Sequence, residues 1–213
     1  MICRIWHGWA THENAAAYLA LLESEILPGL ANRQITGYKG HHLLRRDLEY
    51  EVEFVTMLWF ASLDAVREFA GQEYELAVVP PKARALLCRF DERSSHYQAL
   101  GSATGKVTIA RIWHGITPAT KADEYLDYLN KTGIPDYRQT KGNQGAFVLR
   151  RLERDQAHFL TLSLWDSIES IKRFAGDNYE RARYYPEDKK YLLEFEPTVQ
   201  HYEILVDQKP IEC

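Results

Sequence analysis

The pentapeptide Arg-Ile-Trp-His-Gly occurs twice, at residues 4–8 and again at residues 111–115. A word carrying both a tryptophan and a histidine does not recur by chance, and the residues after each copy recur with it. Tyr18-Leu19 matches Tyr125-Leu126, and Pro28 matches Pro135. Arg45-Arg46 matches Arg150-Arg151, Phe69-Ala70-Gly71 matches Phe174-Ala175-Gly176, and His96-Tyr97 matches His201-Tyr202. The offset is 107 residues at the start and 105 further on, so the second copy is two residues shorter between the proline and the arginine pair. A repeat of roughly 100 residues has the size of a domain and is too long for a solenoid unit. We read repeat one over residues 1–100, a Gly/Ser/Thr linker over 101–105, and repeat two over 106–213.

Within each copy the hydrophobic period switches between two and 3.6. Residues 2–9 alternate, as do 109–114, and read as a first strand. Ile2, Arg4 and Trp6 share one face; Cys3, Ile5 and His7 share the other. The small and apolar Cys/Ala and Ile positions suit a face covered by helices, with arginine and tryptophan on the opposite face. A helix starting near Thr11 or Asn14 is expected to stop at Pro28, and its counterpart to run from Thr117 or Thr120 to about Lys131. Glycines then lead into strands at 41–46 and 146–151, followed by strands at 54–60 and 159–165. Ser62 and Ser167 cap a second helix that Gly71 and Gly176 terminate. The closing strands are expected near 89–98 and 194–205.

Strand, helix, strand, strand, helix, strand is the ferredoxin-like split βαβ plan, an α+β fold with helices on one face of an antiparallel sheet. Such a sheet leaves a bare apolar face, which cannot stay exposed on a monomer. The partner is already in the chain. The expected architecture is therefore two ferredoxin-like βαββαβ repeats forming an intramolecular dimeric α+β barrel, with outer surfaces still free to form a homodimer.

The order of elements, the block Thr161-Leu162-Ser163-Leu164-Trp165-Asp166-Ser167 with Ile171 and Phe174 after it, Tyr184-Tyr185-Pro186-Glu187-Asp188, and the closing His201-Tyr202-Glu203 resemble the antibiotic biosynthesis monooxygenase-like proteins of the dimeric α+β barrel superfamily. The likeness runs through both repeats. It implies a monooxygenase that needs no cofactor and oxidises an aromatic or polyketide-like molecule with O2: a base removes a proton, the substrate anion gives electrons to oxygen, and donors stabilise the reduced oxygen. In that scheme His114 and His7 serve as base, and Arg111 and Arg4 stabilise the anion. Trp113, Trp6, Trp165, Phe159, Tyr184, Tyr202 and His201 hold the substrate. Repeat two keeps the pattern better: repeat one has Phe60 for Trp165 and Val78-Val79-Pro80-Pro81 for the Tyr-Tyr-Pro block. Repeat two is therefore the favoured catalytic half.

Other classes set the bounds. A non-catalytic barrel binding a small hydrophobic ligand is one rival. An isomerase or lyase using the same histidine is another. Net charge is −4, and no run of lysine or arginine could track phosphates, so no nucleic acid partner is expected. No apolar stretch could cross a bilayer and the N-terminus lacks a leader pattern, which with three scattered cysteines reads as a cytoplasmic, reduced protein. Neither metal nor other cofactor is expected: His41-His42 point to opposite faces, no phosphate loop is present, and the stretches near Val79 and Tyr184 offer no axial histidine for haem.

Overall fold

In the computed structural model, residues 1–208 are described; Cys213 lies outside them. The chain forms two compact units. Among the described residues, unit 1 holds residues 1–96 together with 205–208, and unit 2 holds Tyr97–Ile204. Unit 1 contains β1 (Ile2–Ala10), α1 (Ala15–Leu21), a π-helical segment (Leu22–Ile26), α2 (Leu27–Asn32), β2 (Tyr38–Asp47), β3 (Val52–Phe60), α3 (Leu63–Ala70), α4 (Pro81–Leu86) and β4 (Leu87–Phe90). β5 (Ser95–Ala103) begins there and continues in unit 2. Unit 2 goes on with β6 (Ile109–Pro118), α5 (Ala122–Lys131), α6 (Gly133–Gln139), β7 (Asn143–Glu153), β8 (Gln156–Trp165), α7 (Ile168–Ala175) and most of β9 (Gln200–Gln208).

Both units have the ferredoxin-like strand order. In unit 1, β3 lies between β2 and β1, and β4 pairs on the far side of β1, all antiparallel. In unit 2, β8 lies between β7 and β6, β9 flanks β6, and Gln98–Ala103 of β5 pair along β7. Gly101, Ser102 and Ala103, in the stretch read as linker, are thus strand residues opposite Phe147, Ala146 and Gly145. The arginines of the repeated word sit in equivalent registers, Arg4 opposite Leu58 and Arg111 opposite Ser163.

Short-range signals place the second helix of each unit. Ser62 accepts a hydrogen bond from the Ala65 N–H, and Ser167 from the Ser170 N–H. Gly71 and Gly176, at φ of 88° and 82°, close the helices by donating to the carbonyls of Arg67 and Lys172. The first helix departs from expectation. Pro28 does not stop it: the helix loosens into the π-helical segment and tightens again, with Pro28 in the first turn of α2. Pro135 likewise lies inside α6.

The assignment of faces on the first strand is also corrected. Leu58, Phe60, Ala65 and Val66 form one core cluster with Ile2, Phe69 and Tyr74 packed on it. Tyr18, Leu22, Leu43, Phe54 and Ala83 belong to another. The even-numbered residues of β1 therefore meet the helices, and Cys3, Ile5 and His7 point the other way. Both faces of β1 carry apolar residues that are buried, so alternation alone could not say which one the helices cover.

Candidate functional site

Unit 1 encloses a cavity of about 370 Å³ between sheet and helices. Its walls are Trp6 on β1, Thr56 and Leu58 on β3, Tyr18 on α1, Leu22 and Ile26 on the π-helical segment, Leu30 on α2, Phe69 on α3, and Val79 and Ala83. Glu25, Arg33 and Lys82 form an exposed rim. The repeated word is built for this wall. A Cβ at Gly8 would lie 2.6 Å from the Trp6 ring, so only glycine lets the indole fold back over the strand. The Trp6 N–H then donates to the Asp91 carbonyl at 2.8 Å. The π-helical turn adds Leu22, Glu25 and Ile26 to the wall; such turns recur at functional sites. Tyr18 packs edge-on against Phe54, 5.0 Å between centroids. Its hydroxyl has no hydrogen-bond partner among the described residues, and burial pushes its pKa up, so it stays a proton donor.

Unit 2 repeats the framework and fills it. Its counterpart cavity is about 30 Å³, lined by Arg111, Trp113, Tyr125, Tyr137, Tyr184, Tyr185 and Asp188. Tyr125 meets Phe159 edge-on at 5.0 Å, as Tyr18 meets Phe54. Tyr137 stands where unit 1 has Leu30, Tyr184 where it has Val79, Tyr185 where it has Pro80, and Asp188 where it has Ala83. Asp188 accepts from the Tyr125 hydroxyl at 3.3 Å and from the Tyr185 N–H at 2.6 Å, and burial raises its pKa. Tyr185 donates to Asp136 at 2.9 Å, and Tyr184 to the Glu196 carbonyl. The sequence favours repeat two on pattern; the open space lies in unit 1.

The two arginines are ties. Arg4 is buried, donates to the carbonyls of Tyr74 and Leu76, contacts His96 Nε2 at 2.8 Å, and lies over the Phe69 ring at 5.6 Å. Burial lowers its pKa to about 10, so it remains charged at neutral pH. Arg111 donates to the Arg181 carbonyl at 3.0 Å and lies over Phe174 at 5.5 Å. Each thus fastens the segment after the second helix to its own sheet. His201 packs edge-on against Tyr179 at 5.2 Å, and its pKa falls to about 4 through burial and then the charge of Arg111.

The histidines of the repeated word lie on the face away from the cavities. His7 Nδ1 is 2.8 Å from the buried carboxylate of Glu53, which also takes two bonds from Arg46. His114 Nδ1 is 2.6 Å from Glu196, and its Nε2 is 3.2 Å from His158 Nδ1; His158 occupies the position of Glu53. Tyr202, paired with Ala110, faces the same way and donates to Gln200 at 2.7 Å. Phe159 and Trp165 are core; the Trp165 N–H donates to Ser163 at 2.9 Å. Of the residues expected to form the site, Trp6 reaches the open cavity, and Arg111, Trp113 and Tyr184 reach the filled one. His41 and His42 do not act together: His41 Nδ1 meets the Tyr38 hydroxyl at 2.5 Å, while His42 accepts from Trp59 at 2.8 Å and donates to Asp207 at 3.1 Å. No cluster of three or more potential metal ligands occurs among the described residues.

Sequence pattern does not single out Tyr18, Leu30, Phe69, Val79 and Ala83 as site residues. The one signal that could find them is the exchange of bulky for small residues between matched positions of the two repeats.

No family model matches the sequence, and no curated protein sequence matches it. Solved structures match it in fold across nearly its whole length. A candidate monooxygenase from Lactobacillus acidophilus aligns with a TM-score of 0.64 at 10% identity, over 96% of this chain and 92% of that one. One from Fusobacterium nucleatum aligns with a TM-score of 0.62 at 9% identity, over 95% and 90%. An anthrone oxidase-like protein aligns with a TM-score of 0.56 at 14% identity, over 96% and 92%. At these identities the likeness carries the fold and nothing finer: the chain shares the α+β fold of these structures.

Proposed function

We propose that unit 1 binds a small aromatic molecule in its cavity and oxidises it with O2, without a cofactor. The observation that carries this reading is an apolar cavity of about 370 Å³ with the Tyr18 hydroxyl, a donor without a partner among the described residues, on its wall. That volume lies in the range of small-molecule sites, which combine apolar walls with a few placed polar groups. Supporting the oxidative class are structures of the same fold described as candidate monooxygenases and as anthrone oxidase-like.

The proposed reaction converts a CH2 group between aryl rings to a ketone: one oxygen atom of O2 enters the product and the other leaves as water. Tyr18 donates to the substrate oxygen that gains negative charge when the CH2 is deprotonated. Glu25, on the rim and paired with Lys82 at 2.7 Å, is the carboxylate lining the cavity and takes the proton role in place of His7 or His114. Trp6, Leu58 and Phe69 keep the ring system dry. The test is oxygen uptake with an anthrone, comparing the metal-free protein with its Tyr18→Phe variant. Uptake with ketone formation that falls about tenfold in the variant supports the reading; uptake no faster than the spontaneous rate removes it.

A second reading, binding without turnover, is favoured by one observation: neither histidine of the repeated word lines the cavity. It predicts saturable binding of the same anthrone with no product.

A further inference from the structure

The cavity of unit 1 is apolar, but its charged surroundings are unbalanced. On the rim Lys82 and Glu25 cancel each other in an ion pair. Two guanidinium groups then lie over one wall residue: Arg33 over the Phe69 ring at 5.1 Å and Arg4 over the same ring at 5.6 Å. Among the described residues neither has a carboxylate partner. Arg4 is held by carbonyl oxygens and His96. Arg33 places Nη2 on the carbonyls of Phe69, at 2.9 Å, and Glu68, at 3.3 Å, at the end of α3. Among the described residues these bonds fix the guanidinium at the rim and leave its Nε and Nη1 hydrogens without a partner. The nearby Glu68 carboxylate is turned to the Thr36 N–H, at 3.3 Å. A positive end is therefore built into a greasy pocket with no anion to meet it. That is the pattern of a site that takes its anion from the ligand, since charge-assisted bonds to a fixed guanidinium are strong and directional.

We propose that the ligand of this cavity is a hydrophobic monoanion, with a ring system inside and one carboxylate held at the rim by Arg33. This rests on the reading that the cavity is the binding site, and it narrows the class of molecule that fills it.

The test uses 2-naphthoate and its neutral counterpart 2-naphthamide, which share a ring system small enough for the cavity, titrated by calorimetry at neutral pH. 2-Naphthoate should bind about tenfold more tightly than the amide. Arg33→Gln should abolish that preference while leaving the amide affinity within about twofold, and Arg33→Lys should restore part of it. Equal binding of the two compounds by the natural protein, or a preference that survives in Arg33→Gln, overturns the carboxylate assignment while leaving the cavity as a site. Binding of neither compound overturns both the assignment and the reading on which it rests. Arg33 is exposed, and thermal unfolding at the parent temperature is the check that its variants are folded.

Discussion

Tyr125 donates its hydroxyl to the buried carboxylate of Asp188 at 3.3 Å, whereas the matching hydroxyl of Tyr18 meets no acceptor among the described residues, because Ala83 stands where Asp188 stands. One duplication thus yields a framework whose tyrosine is tied to a carboxylate of its own and another that leaves room and a hydroxyl donor for something else.

Ala83→Asp should convert the open copy toward the closed one. The new carboxylate reaches the Tyr18 hydroxyl and narrows the cavity. Ligand affinity should drop about tenfold with the fold unchanged, read by titration and by circular dichroism. The reverse change, Asp188→Ala, leaves Tyr125 and the Tyr185 N–H without their acceptor and should destabilise the protein by about 1–3 kcal/mol in denaturant unfolding.

Gly8→Ala and Gly115→Ala place a methyl group 2.6 Å and 2.1 Å from the Trp6 and Trp113 rings. Each should cost about 1–3 kcal/mol through overpacking. The two should differ in consequence: Trp6 borders open space and can yield into it, while Trp113 is hemmed in by Tyr184 at 6.1 Å between centroids. Urea midpoints should therefore fall further for Gly115→Ala.

His7→Ala and His114→Ala should leave oxygen uptake within about twofold of the parent, because both side chains face away from the cavities and spend Nδ1 on Glu53 and Glu196. A loss of uptake as large as that of Tyr18→Phe would place the chemistry on the opposite face of the sheet.

Acid should destabilise the fold in a defined window. His41 is lowered to about 4 by burial and then by His42, and His201 to about 4 by burial and then by Arg111. Both are neutral when folded and take up protons near pH 6.5 when unfolded. Between those values the unfolded chain binds more protons, so stability falls as pH drops from about 6.5 to 4. His201→Gln should flatten that slope in a series of thermal melts across the window.

Much of the fold is legible in the sequence because its signals are local. Ser62 and Ser167 cap by bonds to residues three positions on, and Gly71 and Gly176 end helices through their own backbone angles. The repeated word marks the first strand for a similar reason. The features that escape a sequence reading depend on packing at a distance. Arg4 is buried on the helix side because carbonyls from residues 74 and 76 surround its charge, which no pattern within 2–9 could reveal. Pro28 is tolerated because the π-helical segment ahead of it resets the hydrogen-bond register. The site is visible only as a difference: small Leu30, Val79 and Ala83 against Tyr137, Tyr184 and Asp188 read as erosion of a motif until the volumes they leave are compared.

If the open cavity of unit 1 is where the small molecule reacts, filling it should stop the reaction. The most direct test is oxygen uptake with an anthrone by the double variant Leu30→Tyr, Val79→Tyr, which gives unit 1 the rings that fill unit 2. The expected result is a folded protein whose uptake falls at least about tenfold. Uptake equal to that of the parent, in a variant shown to be folded, would contradict it.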